Sequence, residues 1–174
     1  MFSTLFKKSL VWDPGSPVSS WGHLILRVSA GVMLFYIHGW HKLEGGIAYL
    51  QHGTPWKLVE VIAGMHFPAP VASAFAATAV ESICAPLLAV GLLTRLNAIM
   101  LTATLAVAIL QNVLTGKDSE LAVLYALVTA SLVFLGGGKY SLDARLSARL
   151  AGRTKAGELS MKRSLKDPNR NTIS

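Results

Sequence analysis

Charged residues are scarce in this sequence. Only 14% of its 174 residues are charged and 52% are hydrophobic, a balance that is too apolar for an ordinary soluble domain. The net charge of +7 belongs to one end of the chain, because nine of the 16 basic residues lie after residue 138. A nucleic-acid partner is not expected, since binding to phosphates needs a basic face on the folded body.

Cysteine is nearly absent. The single cysteine, Cys84, excludes an internal disulfide and a Cys-x-x-Cys redox pair, and on a face of small residues it is more typical of packing than of chemistry. The N-terminus also lacks the apolar core of a secretory signal, because only four residues separate Lys8 from the turn-forming residues 13–17. The first helix is therefore expected to remain in the mature protein.

Long apolar runs dominate what is present. A membrane-spanning helix needs about 20 mostly apolar residues, and four runs reach or approach that length: 21–43, 71–93, 96–114 and 119–135. The fold predicted from them is all-α, an integral membrane four-helix bundle. The chain divides into three parts, an N-terminal segment (1–20), the bundle (21–138) and a tail (139–174).

Two amphipathic segments are predicted outside the spans. Residues 44–69 favour a helix in the membrane interface with Trp56 as its anchor. In the tail, leucines and arginines form adjacent strips at a spacing of four residues, Leu142, Leu146 and Leu150 beside Arg145, Arg149 and Arg153. This pattern fits a helix on an anionic membrane surface, or a solvated basic extension that only fixes topology. Beyond residue 153 the composition indicates disorder.

The distribution of Lys and Arg predicts an orientation. Basic residues are retained on the cytoplasmic side, and twelve of them, including Lys7, Lys8 and Arg95, fall on one side of the predicted bundle against three on the other. The protein is therefore expected in a bacterial-type inner membrane, with both termini on the cytoplasmic side and the 44–69 connection on the outer side.

Ionisable residues within the spans are the informative positions, because they are costly in lipid and usually face the bundle interior. At 100° per residue, Arg27, His38, His41 and Lys42 lie on one stripe of the first helix. Glu81 lies near the middle of the second helix, and its depth predicts an ion pair with Arg27. Such a pair serves either proton transfer or the registration of two helices.

The predicted site is a polar cluster in the outer half of the bundle. Its members are His38, His41, Lys42, Gln111, Asn112 and Glu120. Two histidines three residues apart on a helix can ligate a metal together with Glu120, but neutral histidines that hydrogen bond in a polar layer are commoner. No metal is therefore expected.

The order of these residues resembles that of the DoxX family. The resemblance covers about residues 24–145 and rests on Arg27, Glu81, Glu120 and four short motifs: His38-Gly39-x-x-Lys42-Leu43, Phe67-Pro68-Ala69-Pro70, Gly91-Leu92-Leu93-Thr94-Arg95 and Gly138-Lys139-Tyr140-Ser141-Leu142-Asp143. The family comprises small four-helix membrane proteins, among them the DoxD subunit of thiosulfate:quinone oxidoreductase. The resemblance implies this fold and a link to redox complexes, in which DoxD-like members pass electrons from thiosulfate to quinone with a second subunit.

Two functions are compatible with these patterns. In the first, the chain is a subunit of a quinone-linked complex and has no resident cofactor. The quinone headgroup is then bound by the residues at the outer end of the first helix, His38, His41 and Lys42. Glu81 and Glu120 relay protons, Arg27 keeps Glu81 ionised, and a partner supplies the electrons. In the second, the chain is a noncatalytic module that stabilises a larger membrane complex. Both functions imply contact with the lipid bilayer and with other membrane subunits.

Overall fold

The computed structural model describes residues 16–166, and all regular secondary structure in this part of the chain is helical. The helices are α1 (Pro17–His52), α2 (Lys57–Gly64), α3 (Pro70–Val90), α4 (Thr94–Leu114), α5 (Glu120–Leu135) and α6 (Leu142–Lys166). The prediction of an all-α fold is confirmed. Lys7 and Lys8, which entered the orientation argument, and the end of the predicted tail (167–174) lie outside the described residues.

Three of the described helices, α1, α3 and α4, are long and apolar enough to cross a membrane. The fourth predicted span, α5, is also apolar but has only 16 residues. Large hydrophobic side chains cover the outer surfaces of these helices, for example Tyr36 with 74% of its surface exposed and Phe134 with 83%. This distribution is opposite to that of a soluble bundle and is the one that lipid requires.

Helices α1, α3, α4 and α5 pack around a core of Leu34, Ala85, Leu88, Ala98, Leu101, Leu105, Tyr125 and Leu132. Small residues allow α1 and α3 to approach closely. A Cβ added at Gly31 would lie 2.6 Å from the carbonyl oxygen of Ala85. The small residues of α3 near Cys84 therefore contact α1.

Two wide turns interrupt α1 and α3 where these helices meet. Each is a π-helical segment, Leu34–Gly39 in α1 and Val80–Cys84 in α3. The Ser82 hydroxyl donates to the Gly39 carbonyl oxygen at 3.2 Å, and a Cβ at Gly39 would lie 3.1 Å from the backbone oxygen of Glu81. π-helical segments are rare and frequently mark functional sites, and these two place Glu81 at the level of Gly39.

Two sequence predictions need correction. A short helix, α2, lies within residues 44–69 as expected, but Trp56 does not anchor it in the headgroups. Only 6% of Trp56 is exposed, because its ring packs against Tyr49 and Phe75. In the tail, α6 continues to Lys166, whereas disorder was predicted beyond residue 153. Regular backbone hydrogen bonding thus extends past the point where composition alone disfavours it.

Candidate functional site

Glu81 is the most deeply buried acidic side chain of the described bundle, with 2% of its surface exposed. The Lys42 ammonium donates to its Oε1 at 2.5 Å, and this joins α1 to α3. The second oxygen, Oε2, has no hydrogen-bond partner, and neither has the buried hydroxyl of Thr78 one helical turn away. Buried polar atoms without partners are rare and call for an explanation.

The predicted pair between Arg27 and Glu81 is wrong, and Lys42 takes the place of Arg27. The prediction set the middle of α3 against the middle of an α1 that began at Trp21. In the structure, α1 runs from Pro17 to His52, and Glu81 lies level with Gly39 rather than with residue 32. Arg27 is consequently some twelve residues down the helix from Gly39, a distance of about 18 Å at 1.5 Å per residue.

Arg27 instead closes the opposite end of the bundle. Only 1% of it is exposed; its Nη1 donates to the Gly137 carbonyl oxygen at 2.6 Å and its Nη2 to that of Tyr140 at 3.4 Å. Gly91, in the left-handed conformation with φ +75°, packs directly on the guanidinium, so that a Cβ there would overlap it. We call Arg27, Gly91–Thr94, Gly137, Tyr140 and Asp143 the end cluster.

Asp143 completes the end cluster by capping α4. Its carboxylate accepts hydrogen bonds from the backbone N–H of Leu93 at 2.7 Å and of Thr94 at 2.9 Å, and from the Thr94 hydroxyl at 2.8 Å. Burial by itself raises the pKa of Asp143, but the hydrogen bonds from Thr94 and Leu93 and the charge of Arg27 outweigh it and lower the pKa below its ordinary value.

A cavity of about 330 Å³ lies beside the Lys42–Glu81 pair. Its walls are the apolar and small residues of three helices, Leu58, Val61 and Ile62 of α2, Ala76, Ala77 and Val80 of α3, and Ala103, Thr104 and Gln111 of α4. Lys42 is the one charged residue among those that line it. A mostly apolar cavity of this size with a few polar groups has the usual character of a small-molecule site.

The other predicted site residues lie elsewhere. His38 packs edge-on against Tyr125, with ring centroids 6.0 Å apart, and does not line the cavity. His41 is exposed and faces Glu44 at 3.6 Å. Glu120 is exposed at the start of α5 and belongs to a separate shallow groove with Asp118. Of the predicted outer cluster, only Lys42 and Gln111 therefore meet at the cavity.

The described residues contain no cluster of side chains that could ligate a metal ion. Among the side chains that the structure describes, no three His, Cys, Asp or Glu residues come close enough together to hold an ion. His38 and His41 lie three residues apart on α1, yet the first is half-buried and the second exposed. The two rings thus do not converge on Glu120.

The DoxX family profile matches residues 22–114, which is more than half of the chain. The chain belongs to the DoxX family. Together with its long apolar helices, this membership identifies a multi-pass membrane protein. No curated protein and no solved structure matches the sequence.

The family match in this DoxX protein includes Lys42 and Glu81, the two residues of the ion pair. It does not extend over all the motifs on which the resemblance in the sequence rests. Arg27, Lys42 and Glu81 lie within residues 22–114. Glu120 and the motif from Gly138 to Asp143 lie beyond them. The end cluster therefore joins matched residues on α1 and α4 to a part of the chain outside the match.

Sequence reasoning missed the cap formed by Asp143 and most of the cavity walls. Asp143 appears in the sequence only as the last residue of a family motif, and nothing local links it to the start of α4, 49 residues earlier. Most wall residues are small or apolar, and residues of these types are common throughout the apolar helices. One signal was available, since Thr104 and Gln111 lie on the same face of α4 at a spacing of seven residues.

Proposed function

We propose that this DoxX protein is the membrane subunit of a quinone-linked redox complex and that its cavity holds the quinone headgroup. The observation that carries the proposal is the position of Lys42, which lines an apolar cavity and also pairs with the buried Glu81. A quinone has matching chemistry, because its carbonyl oxygens accept hydrogen bonds and its ring and tail are apolar. The cavity walls of α3 and α4 include exposed residues such as Ala76 and Ala103, so the ligand reaches the cavity from the lipid.

The ion pair suits the proton chemistry of such a ligand. Reduction of a quinone to a quinol consumes two electrons and two protons. Lys42 donates a hydrogen bond to one carbonyl oxygen and, as the acid of the ion pair, passes a proton to the reduced quinone oxygen. Glu81 takes up a proton and returns it to Lys42, and a second cycle supplies the second proton. The electrons come from a redox-active partner subunit. Glu81 Oε2 and the Thr78 hydroxyl, which lack partners, provide the polar positions through which a proton or a water molecule reaches the pair.

In the proposed topology, four helices cross the membrane and both termini lie in the cytoplasm. Arg95 and the basic tail lie at the end-cluster side, and Lys42, Lys57 and Lys117 lie towards the other, as the positive-inside rule requires of a bacterial inner-membrane protein. The 16 residues of α5 extend about 24 Å, which a locally thinned bilayer accommodates.

Ligand binding is tested with purified protein in detergent. A short-chain quinone is expected to raise the melting temperature of the wild type, and the increase should be lost in Ala103→Phe, which fills the cavity. Ala106→Phe, one helical turn along α4 and outside the cavity lining, is the matched control and should behave as wild type. Equal melting temperatures with and without quinone in wild type and control would exclude the proposal.

A second function, that of a noncatalytic assembly subunit, is favoured by one observation. The Lys42–Glu81 pair lies where the two π-helical segments meet, which is a position that fixes the register of α1 against α3. In that function, the activity of the complex follows its abundance. A Glu81→Gln variant that assembles to wild-type levels but lacks quinone reduction would contradict assembly and support the redox function.

A further inference from the structure

Helix α6 leaves the bundle after its first turn. Every residue from 145 to 155 is exposed, although the helix has 25 residues. Most of the stability of a protein helix comes from packing of its amphipathic face, and Gly152 and Gly157 lower the intrinsic helix propensity of α6. The length of α6 therefore indicates that a surface outside the described chain stabilises it.

The start of α6 is held firmly at the end cluster. The Ser141 hydroxyl donates to the Gly138 carbonyl oxygen at 2.7 Å and accepts from the Ala144 N–H at 3.0 Å. The Asp143 N–H donates to the Gly91 carbonyl oxygen at 2.9 Å. The rings of Trp21 and Tyr140, 5.3 Å apart, lie at the same end, and such aromatic residues favour the membrane–water interface. The helix thus begins at the depth of the lipid headgroups.

The composition of α6 selects the surface. Residues 139–166 contain eight basic and two acidic residues, and one of the acidic residues, Asp143, is occupied by the cap of α4. The apolar strip of Leu142, Leu146 and Leu150 is exposed to 40%, 51% and 56% and is flanked by the arginine strip. Leucines that enter the headgroup layer beside arginines that contact phosphates match an anionic bilayer.

We propose that α6 lies on the surface of anionic phospholipid at the end-cluster side of the bundle. This assignment is independent of the quinone proposal, because it uses no residue of the cavity. A protein partner would need a complementary acidic groove, whereas the bilayer that surrounds the bundle already adjoins the first turn of α6.

The test places an environment-sensitive fluorophore on the full-length protein in vesicles. Cys84→Ser removes the native thiol, and Leu150→Cys or Ala148→Cys adds one on the leucine strip or on the opposite side of α6. In vesicles that contain phosphatidylglycerol, the probe at 150 is expected to shift its emission to the blue, and high salt should reverse the shift. The probe at 148 should emit as in water.

Three results would overturn the proposal. The first is identical emission from positions 148 and 150 in anionic vesicles. The second is an equal shift at 150 in vesicles of phosphatidylcholine alone, or a shift that follows the protein-to-lipid ratio, which would indicate a second copy of the chain. The third is an unchanged shift when Arg145, Arg149 and Arg153 are all replaced by Gln, since charge would then play no part.

Discussion

The carboxylates of Asp143 in the end cluster and of Glu81 at the cavity differ in how completely their oxygens are hydrogen bonded. In the end cluster, Asp143 Oδ1 accepts from Leu93, and Oδ2 accepts from both the N–H and the hydroxyl of Thr94. At the cavity, Glu81 Oε1 accepts from Lys42 and Oε2 has no partner. The more deeply buried carboxylate is thus the less satisfied one.

This difference separates a structural role from a chemical one. A fully hydrogen-bonded carboxylate at a helix N-terminus stabilises one arrangement of three chain segments and has no free position for a ligand. A buried carboxylate with a free oxygen, a single cation and an adjoining cavity can exchange a proton or rearrange its hydrogen bonds. The comparison predicts that changes in the end cluster mainly reduce stability, whereas changes at the cavity mainly alter ligand binding.

The largest loss of stability is expected from Arg27→Met. Arg27 is buried and donates to two carbonyl oxygens, so its removal leaves these groups and the charge of Asp143 without their cation. The free energy of unfolding, measured by titration of detergent-solubilised protein with SDS, should fall by about 4 kcal/mol. Arg95→Met is the control at the same end, and because Arg95 is exposed, its loss should stay below about 0.5 kcal/mol. Equal losses would remove the structural role assigned to Arg27.

A somewhat smaller loss, about 3 kcal/mol, is expected from Lys42→Met, because Glu81 is then buried without its cation. Adding Glu81→Gln to this variant should restore most of the stability, since a neutral amide needs no counter-ion. The matched double variant Arg27→Met with Glu81→Gln should show additive effects, because the two residues do not touch. Rescue in this second double variant alone would return the partnership to Arg27, as the sequence had suggested.

The close packing on Arg27 is measured by Gly91→Ala. Gly91 and Gly53 both have left-handed backbones, with φ +75° and +64°, but only Gly91 has atoms within 4 Å of an added Cβ. Gly53→Ala should therefore cost about 1 kcal/mol from backbone strain alone, and Gly91→Ala about 1 kcal/mol more, because the guanidinium must move. Equal unfolding free energies for the two variants would show that the end cluster is loosely packed.

The sequence predicted the fold better than the site for a physical reason. Hydrophobic length and turn residues are local properties, and they predict α1, α3, α4 and α5 to within a few residues at most ends. The depth of one helix against another depends on where each helix begins, and α1 starts at Pro17 and ends at His52 rather than at residues 21 and 43. Because of that difference, the ion-pair partner of Glu81 is Lys42 and not the predicted Arg27.

Local sequence patterns do not determine which side chains on different helices contact one another. The sequence indicated that Arg27, Lys42 and Glu81 face the interior, and burial of Arg27 and Glu81 agrees with this. It placed His41 and Glu120 in the site because both lie at the outer level, but depth alone does not determine which way a side chain points around the helix. Both are exposed. Asp143 is far in sequence from the turn it caps, so no periodicity reveals the contact.

The smallest expected effect is the pH dependence that Asp143 gives to the free energy of unfolding. The pKa of Asp143 is lower in the folded protein than in the unfolded chain, so its ionised form stabilises the fold at every pH above the ordinary aspartate value of about 3.9. This contribution is lost as the pH falls through the lower, folded value. Asp143 is half-buried, and solvent screening keeps the contribution below about 1 kcal/mol.

Unfolding free energies measured from neutral pH down to strongly acidic pH should show this loss in the wild type, whereas Asp143→Asn should be less stable at neutral pH and less sensitive to acid. A variant as acid-sensitive as the wild type would mean that Asp143 does not control stability at low pH.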